Sequence, residues 1–116
     1  MQIDITTYDR DAAFRLLGQS TISTKDSVVL ASGVTAKYAG TYMRKSLGFP
    51  EIATFVVTFG AGVATNIASN VICDWLKGLR SPPEKITIDR QEVDFDEHEI
   101  KRIVTSRVTV ENRRAS

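Results

Sequence analysis

The stretch PEIATFVVTFGAGVATNIASNVICDWLKGL, residues 50–79, decides how the chain folds. Pro50 and Glu51 suit the start of a helix, because proline fits the first turn and a carboxylate there meets the positive end of the helix dipole. Apolar residues then recur near helical spacing as far as Leu79, and Ser-Pro-Pro at 81–83 ends the run. The stretch therefore predicts a long central helix. Its apolar positions are Ile52, Phe55, Val56, Phe59, Val63, Ile67, Val71, Trp75 and Leu79.

Two glycines inside this run leave a second interpretation open. Gly60 and Gly62 each cost a helix about 1 kcal/mol relative to alanine, so we expect a bend or a close contact there. The alternative makes residues 53–59 a strand, because they are rich in β-branched and aromatic side chains.

The same stretch contains no charged residue from Ile52 to Cys73, and 22 residues are enough to cross a bilayer. Asn66 and Asn70 lie near its middle, however, and unpartnered asparagines are costly in lipid. We therefore expect a helix buried in the protein rather than one in contact with a membrane; residues 52–75 are the segment that would make such contact.

Upstream of this stretch, the sequence predicts a strand, a short helix and a second strand. Residues 2–8 (QIDITTY) alternate apolar and polar side chains, which is typical of a strand. Asp9 can cap a helix that runs from residue 11 to Gly18. Residues 27–32 (SVVLAS) resemble a second strand, whereas residues 35–47 fit a helix only weakly and stay ambiguous.

Downstream, residues 86–95 (ITIDRQEVDF) predict a β-hairpin. A turn at Arg90-Gln91 would put all the apolar side chains on one face, although those two residues are poor chemistry for a tight turn. The predicted cross-strand pairs are Ile88 with Val93 and Ile86 with Phe95.

The C-terminal part predicts a last helix. Asp96 and Glu99 have the spacing of a capping box, with Asp in place of Ser or Thr. Val108 and Val110 predict a short final strand, and residues 112–116 a frayed tail. The buried stripe of the helix is predicted to be Ile100, Ile103 and Val104.

Together these elements predict a single domain over residues 1–116 of the α+β class. The expected architecture is a β-α-β start, a long central glycine-containing helix, and a β-hairpin and C-terminal helix packed on one small sheet.

Charge is unevenly distributed along the chain. The total of 15 basic and 14 acidic side chains gives a net charge of +1. Residues 84–99 nevertheless hold seven acids and two bases, net −5, and residues 100–116 hold five bases and one acid, net +4. Such asymmetry bears on partners more than on fold.

The acidic block is the candidate partner-binding surface. Its spacing does not fit a calcium-binding EF-hand loop, which also needs a glycine. A negative surface could instead cover a basic partner, such as the phosphate-binding cleft of a nuclease, although a solvated surface is the common alternative. The candidate residues are Asp89, Glu92, Asp94, Asp96, Glu97 and Glu99.

No residues predict catalysis, a cofactor or a metal. His98 and Cys73 are the only histidine and cysteine, and they lie too far apart for a zinc-binding spacing. The segment FGAGVATN (59–66) lacks the Gly-Lys-Ser/Thr ending of a phosphate loop. Without such motifs we expect no enzyme activity. No aromatic residues interleave with the basic residues of 100–116, so we expect no direct nucleic-acid binding either.

The expected location is the cytoplasm. The N-terminal residues MQIDITTYDRD have neither the basic nor the apolar region of a signal peptide. A single cysteine cannot form an intrachain disulfide, which fits a reducing compartment.

Three segments of the chain, "VICDWLKGLR", "ITIDRQEVDF" and "DEHEIKRIV", together resemble parts of small bacterial conflict-system proteins. One such group is the immunity proteins encoded beside polymorphic or contact-dependent growth-inhibition toxins. The other is the effector-associated constant components of bacterial defence loci. The resemblance covers residues 50–105 and implies no catalytic residues.

The resemblance implies an immunity protein that binds and neutralises a cognate toxin domain, such as a nuclease, by blocking its active site or its access to substrate. An adaptor or assembly subunit of a conflict or signalling system is the alternative, and a small enzyme or nucleic-acid binder is a third. The sequence does not predict the oligomeric state.

Overall fold

The computed structural model describes residues 1–18, 26–42, 50–79 and 82–115, which form six strands and three helices. In chain order these are β1 (Gln2–Thr7), α1 (Ala12–Leu17), β2 (Ser27–Ala31), β3 (Val34–Tyr42), β4 (Glu51–Phe59), α2 (Thr65–Leu76), β5 (Lys85–Ile88), β6 (Gln91–Val93) and α3 (Glu97–Ala115).

The strands form one sheet in the order β2-β3-β4-β1-β5-β6, with every neighbouring pair antiparallel. The predicted α+β class is confirmed. The predicted β-α-β start is not what the structure shows, because two strands, β3 and β4, separate β1 from β2 in the sheet. The first three elements follow each other in sequence without forming a parallel βαβ unit.

The predicted long central helix over residues 50–79 is wrong. Residues 51–59 form β4, residues 60–64 form a loop, and α2 begins only at Thr65. In β4 the side chains of Phe55 and Val57 are fully buried, whereas Val56 between them is 36% exposed, which is the period-two pattern of a strand. The alternative interpretation of residues 53–59 as a strand is confirmed.

The glycine-containing loop explains why the helix cannot run through. The Gly60 N–H donates a hydrogen bond of 2.6 Å to the Gly33 carbonyl, which ties the end of β4 to the β2–β3 turn. Gly62 has a φ of +82°, a left-handed conformation that breaks helical geometry and favours glycine. The two glycines therefore mark a turn between a strand and a helix.

Two further segments differ from their predicted form. The ambiguous segment 35–47 is β3 up to Tyr42, with an irregularity in its pairing between Tyr38 and Gly40, and its residues 43–47 lie outside the described part. Val108 and Val110 do not form a strand, because α3 continues through them to Ala115. Val108 is fully buried while Val110 is 40% exposed, which fits two faces of one helix.

The predicted hairpin exists, but its turn lies one residue earlier. Asp89 and Arg90 occupy the turn with φ values of +48° and +71°, the conformation of a type I′ turn. The pairs are therefore Ile88 with Gln91 and Ile86 with Val93, not those expected from a turn at 90–91. The apolar residues still share a face, because the pairing moved by an even number of residues.

The three helices cover one face of the sheet, and the buried core lies between these two layers. Phe55 at its centre packs edge-on against Trp75 of α2, with ring centroids 5.1 Å apart, and against Tyr38 of β3 at 5.6 Å. Trp75 also joins two helices, because its indole N–H donates a 2.8 Å hydrogen bond to the Leu16 carbonyl of α1.

The other face of the sheet carries no helix among the described residues, and we call it the open face. Alternation along each strand points polar and β-branched side chains to it, as expected for an antiparallel sheet with one solvated side. Its side chains include Gln2, Asp4, Thr6, Val29, Lys37, Thr54, Val56, Thr58, Thr87 and Glu92.

Candidate partner-binding surface

The six acidic residues singled out in the sequence lie in the β5–β6 hairpin, in the connection that follows it and in the first turn of α3. Asp89 occupies the β5–β6 turn, and Glu92 lies on β6, the outermost strand of the sheet at that end. Asp94 and Asp96 follow in the connection to α3, whose first turn holds the remaining two acids, at positions 97 and 99. We call these six residues the hairpin surface.

Glu97 is neutralised by two lysines. Its carboxylate lies 2.8 Å from Nζ of Lys77, which directly follows α2. It also lies 2.7 Å from Nζ of Lys101, one turn further along α3. The hydrogen bonds from Lys101 and Lys77 lower the pKa of Glu97 from 4.5 to about 2. This carboxylate therefore joins α2 to α3 and adds little free negative charge to the surface.

Glu97 is expected to make the fold sensitive to acid. Because its folded pKa lies below the unfolded value, its stabilising contribution is complete above pH 4.5 and is lost as the pH falls towards about 2. The difference in urea unfolding midpoint between wild type and Glu97→Gln should therefore shrink across this interval. Added salt should shrink it too, since the pair is exposed to solvent.

The matched control is Glu84→Gln, which removes the same charge from an exposed residue of the segment before β5. Its midpoint should follow that of the wild type at every pH. A Glu97→Gln deficit that stays constant from neutral pH to pH 2 would show that the ion pairs do not act as described.

Three other acids of the hairpin surface also have structural partners. Asp89 accepts a 2.8 Å hydrogen bond from the Gln2 N–H and lies 3.8 Å from Nε of Arg107, so it fastens the turn to β1 and α3. Glu99 binds the guanidinium of Arg102 at 2.7 and 3.2 Å, which lowers the pKa of Glu99.

Asp96 caps α3 as predicted, because its carboxylate accepts a 3.0 Å hydrogen bond from the His98 N–H. The reciprocal half of the predicted capping box is not formed. The Asp96 N–H donates instead to the Asp94 carbonyl at 2.8 Å, and the Glu99 carboxylate binds Arg102.

Two of the three acids in the middle of the hairpin surface form no ion pair within the described ranges, and the third, Glu92, forms a long one. The Glu92 carboxylate is 70% exposed and lies 3.9 Å from Nζ of Lys85, at the limit of an ion pair. Asp94 and Asp96 are exposed, and within the described ranges neither forms an ion pair. These three residues are the part of the surface that can offer charge to a partner.

The structure adds one acid that the sequence analysis did not single out. Thr87 of β5 pairs with Asp4 of β1 on one side and with Glu92 of β6 on the other, so the two carboxylates lie in one row on the open face. Asp4 is held there by a 2.7 Å hydrogen bond from the Thr54 hydroxyl. The alternation of residues 2–8 separates Asp4 from its buried neighbours, but only the strand order brings it to β5.

The structure places His98 on the surface and Cys73 in the core. His98 is exposed in the first turn of α3. Cys73 is 1% exposed on the inner face of α2, and burial raises the pKa of its thiol, which keeps it protonated. Within the described ranges, no group of three or more His, Cys, Asp or Glu residues has the arrangement of a metal site.

Two surface clefts lie away from the hairpin surface. One, of about 350 Å³, is lined by Ser32, Gly33 and the loop 60–64 at the start of α2, and its described lining carries no charged side chain. The other, of about 310 Å³, lies beside α1 and contains Arg10 and Glu51, whose charged atoms are 3.7 Å apart. The first has the strand–glycine loop–helix order of a phosphate loop without its lysine.

The uncharged stretch 52–73 is divided between β4, the loop and α2. No helix in the described ranges combines the length and apolarity that crossing a bilayer requires. Comparison with protein-family models, with curated proteins and with solved structures gives no match for this chain.

Proposed function

We propose that this chain is an immunity protein that binds and neutralises a cognate toxin domain, a nuclease, by covering its substrate-binding surface. The observation that supports this most directly is the group of exposed carboxylates at Glu92, Asp94 and Asp96, of which Glu92 forms one long ion pair, 3.9 Å from Lys85, and the other two form none within the described ranges. A nuclease needs a basic cleft to hold phosphate, and a fixed negative surface is complementary to such a cleft.

The hairpin surface is well suited to present charge in a fixed geometry. Asp89 and Glu97 fasten the hairpin and the start of α3 to β1, α2 and α3, so the loop between them is held at both ends. A partner therefore meets carboxylates that are already positioned, which lowers the entropy lost on binding.

The six residues of the proposed surface divide into two roles. Glu92, Asp94 and Asp96 are proposed to contact cations of the partner directly. Asp89, Glu97 and Glu99 hold the surface in place through their own ion pairs with arginine and lysine side chains. Asp4 extends the row of charge across the open face towards Thr54.

Residues 52–75 are the segment through which an adaptor or a membrane-contacting subunit would act. They contribute to the buried core between the sheet and the helices. Phe55 and Ile72 are fully buried, and Trp75 packs against Phe55. The structure therefore favours the hairpin surface over this segment as the partner-binding region. The proposal includes action in the cytoplasm, which the single buried cysteine supports.

Reversing charge at the hairpin surface is expected to slow capture of the partner. Affinity capture from the native cell identifies the partner, and stopped-flow mixing then gives the association rate. Glu92→Lys combined with Asp94→Lys should reduce that rate by roughly tenfold or more at low salt and make it less dependent on salt, since long-range steering is lost.

The matched pair of single variants is Asp94→Lys and the control Asp11→Lys. Asp11 is also exposed, but it lies at the start of α1 and outside the hairpin surface. Asp11→Lys changes the net charge by the same amount and should leave the association rate nearly unchanged. Equal rates for wild type and the double variant would exclude the hairpin surface as the docking site. A captured partner without toxin activity would exclude the immunity function itself.

A further inference from the structure

The two edges of the sheet differ in how well they are protected against pairing with another strand. An edge strand exposes unpaired N–H and C=O groups, and proteins usually shorten it or place charges on it. At one edge, β6 has three residues and carries Glu92, with Asp89 and Asp94 on either side. That edge is both short and charged.

The opposite edge, β2, lacks this protection. Its five residues, SVVLA at 27–31, contain no charge and no proline, and the charge next to the strand is that of Asp26, directly before it. The pairing irregularity of β2 falls between Val29 and Ala31, so Ser27 to Val29 remain regular. No strand of the described residues lies beyond β2 in the sheet.

The backbone N–H and C=O groups of Val29 point outward from the edge of the sheet, away from β3. The Asp26 carbonyl accepts a 2.8 Å hydrogen bond from the Tyr38 N–H, so the polar backbone groups of Asp26 point towards β3. In an antiparallel pair these groups alternate in direction along the strand. Those of Val28 therefore also point to β3, and those of Ser27 and Val29 point outward.

The side chains of β2 show that the edge is incompletely covered. Val28 and Leu30 face the helices and pack against the core but are only partly buried. Val29 points to the open face and is 69% exposed, more than any other large apolar residue of the described ranges. A strand added at this edge would cover apolar surface on both faces of the sheet.

We propose that β2 is a dimerisation edge, at which β2 of a second copy of this chain pairs antiparallel about a twofold axis at Val29. In this register Val29 faces its own counterpart and exchanges both outward hydrogen bonds with it. Val28 lies opposite Leu30 of the other copy, where the irregular part of β2 begins, so partly buried apolar side chains meet above the joined sheet. The two six-stranded sheets become one of twelve strands.

A second copy fits this edge because the strand is complementary to itself. Uncharged apolar residues lie on both sides of the axis, and the twofold arrangement closes after two copies instead of forming a fibre. The helix α2 packs on β2, and its Ile67 is 51% exposed beside Ser32, so apolar area is available beyond the strand. The hairpin surface lies at the far edge and stays free.

Sedimentation velocity over a concentration series tests the proposal directly. The wild-type chain should show a monomer–dimer equilibrium, and Val29→Lys should weaken it by at least roughly tenfold, because two ammonium groups would face each other across the axis. Val110→Lys places the same charge at an exposed valine of α3 and should leave the equilibrium unchanged. Circular dichroism confirms that each variant is folded.

A cysteine at the axis provides a second, positive measurement. Opposed residues of a hydrogen-bonded pair have Cα atoms about 5.5 Å apart, which suits a disulfide. Oxidised Val29→Cys should therefore run as a covalent dimer on a non-reducing gel, and Val110→Cys, which lies away from the axis, should not. The native Cys73 is buried and does not contribute to cross-linking. A wild type that is monomeric at all concentrations, a dimer unaffected by Val29→Lys, or a Val29→Cys variant that does not cross-link would each overturn the proposal.

Discussion

Replacing Phe55 with alanine is expected to lower the free energy of unfolding by about 3–5 kcal/mol. The ring is fully buried at the centre of the core, where it contacts Trp75 edge-on and Tyr38 at a tilt. Alanine removes both aromatic contacts and leaves a cavity that the rigid sheet cannot close. Equilibrium unfolding in urea measures the loss, with the slope of the transition checked for a change in the unfolded state.

Val56→Ala is the matched control, because Val56 is the next residue but points to the open face. Its cost should stay within about 0.5–1 kcal/mol, as for other surface substitutions. In the helix predicted for residues 50–79, Phe55 and Val56 both lie on the apolar face, so Phe55→Ala and Val56→Ala would both be costly. Similar losses for the two variants would therefore contradict β4.

Gly33→Ala is expected to be the most damaging glycine substitution among the described loops. Gly33 has a φ of +84°, and a left-handed conformation costs an alanine about 1–2 kcal/mol. The added Cβ would also lie 2.7 Å from Cγ2 of Val63, a contact that the stiff valine side chain cannot avoid without moving the loop. Overpacking of this kind adds about 1–3 kcal/mol.

Gly62→Ala isolates the conformational part, because Gly62 has a φ of +82° but no atom within 4 Å of an added Cβ. Thermal unfolding should rank Gly33→Ala below Gly62→Ala. Val63→Ala combined with Gly33→Ala should recover part of the loss, and a double-mutant cycle gives the size of the contact. Equal costs for the two glycines and no coupling to position 63 would show that the contact is absent.

The sequence predicted the elements with the clearest local signals. The alternation of residues 2–8 predicted β1, the apolar stripe around Ile100 and Val104 predicted α3, and Asp96 was identified as its cap. These features depend on neighbouring residues alone. The long helix predicted for residues 50–79 is wrong because an apolar run fills helical and strand positions alike, so spacing does not separate β4 from α2.

Errors in the hairpin and at the end of the chain have a similar origin. Asp89 and Arg90 adopt left-handed conformations without being Gly or Asn, so the turn was placed one residue late. Val108 and Val110 were separated by one residue, which suggested a strand, although they lie on different faces of α3. For α3, tertiary packing overrides a local preference for β structure.

The hairpin surface could be located from the sequence, but the sequence does not show which of its acids are neutralised by ion pairs. Composition alone identified the acidic block, including Glu92 and Asp94. Lys77 neutralises Glu97 from a different helix, and Asp4 joins the surface from a strand 88 positions before Glu92, so both effects require the strand order and the helix packing. Local spacing contains no information about either.

The central position of β1 sets the order in which the sheet can assemble. Strands β2, β3 and β4 follow one another and can pair as a meander, and β5 with β6 can close as a hairpin. Only β1 joins these two units, through pairings such as Ile3 with Phe55 and Ile3 with Ile88. Contacts so distant along the chain carry a large loop-closure cost and slow folding. β1 therefore completes its pairing in the sheet only when β4 and β5 have both formed.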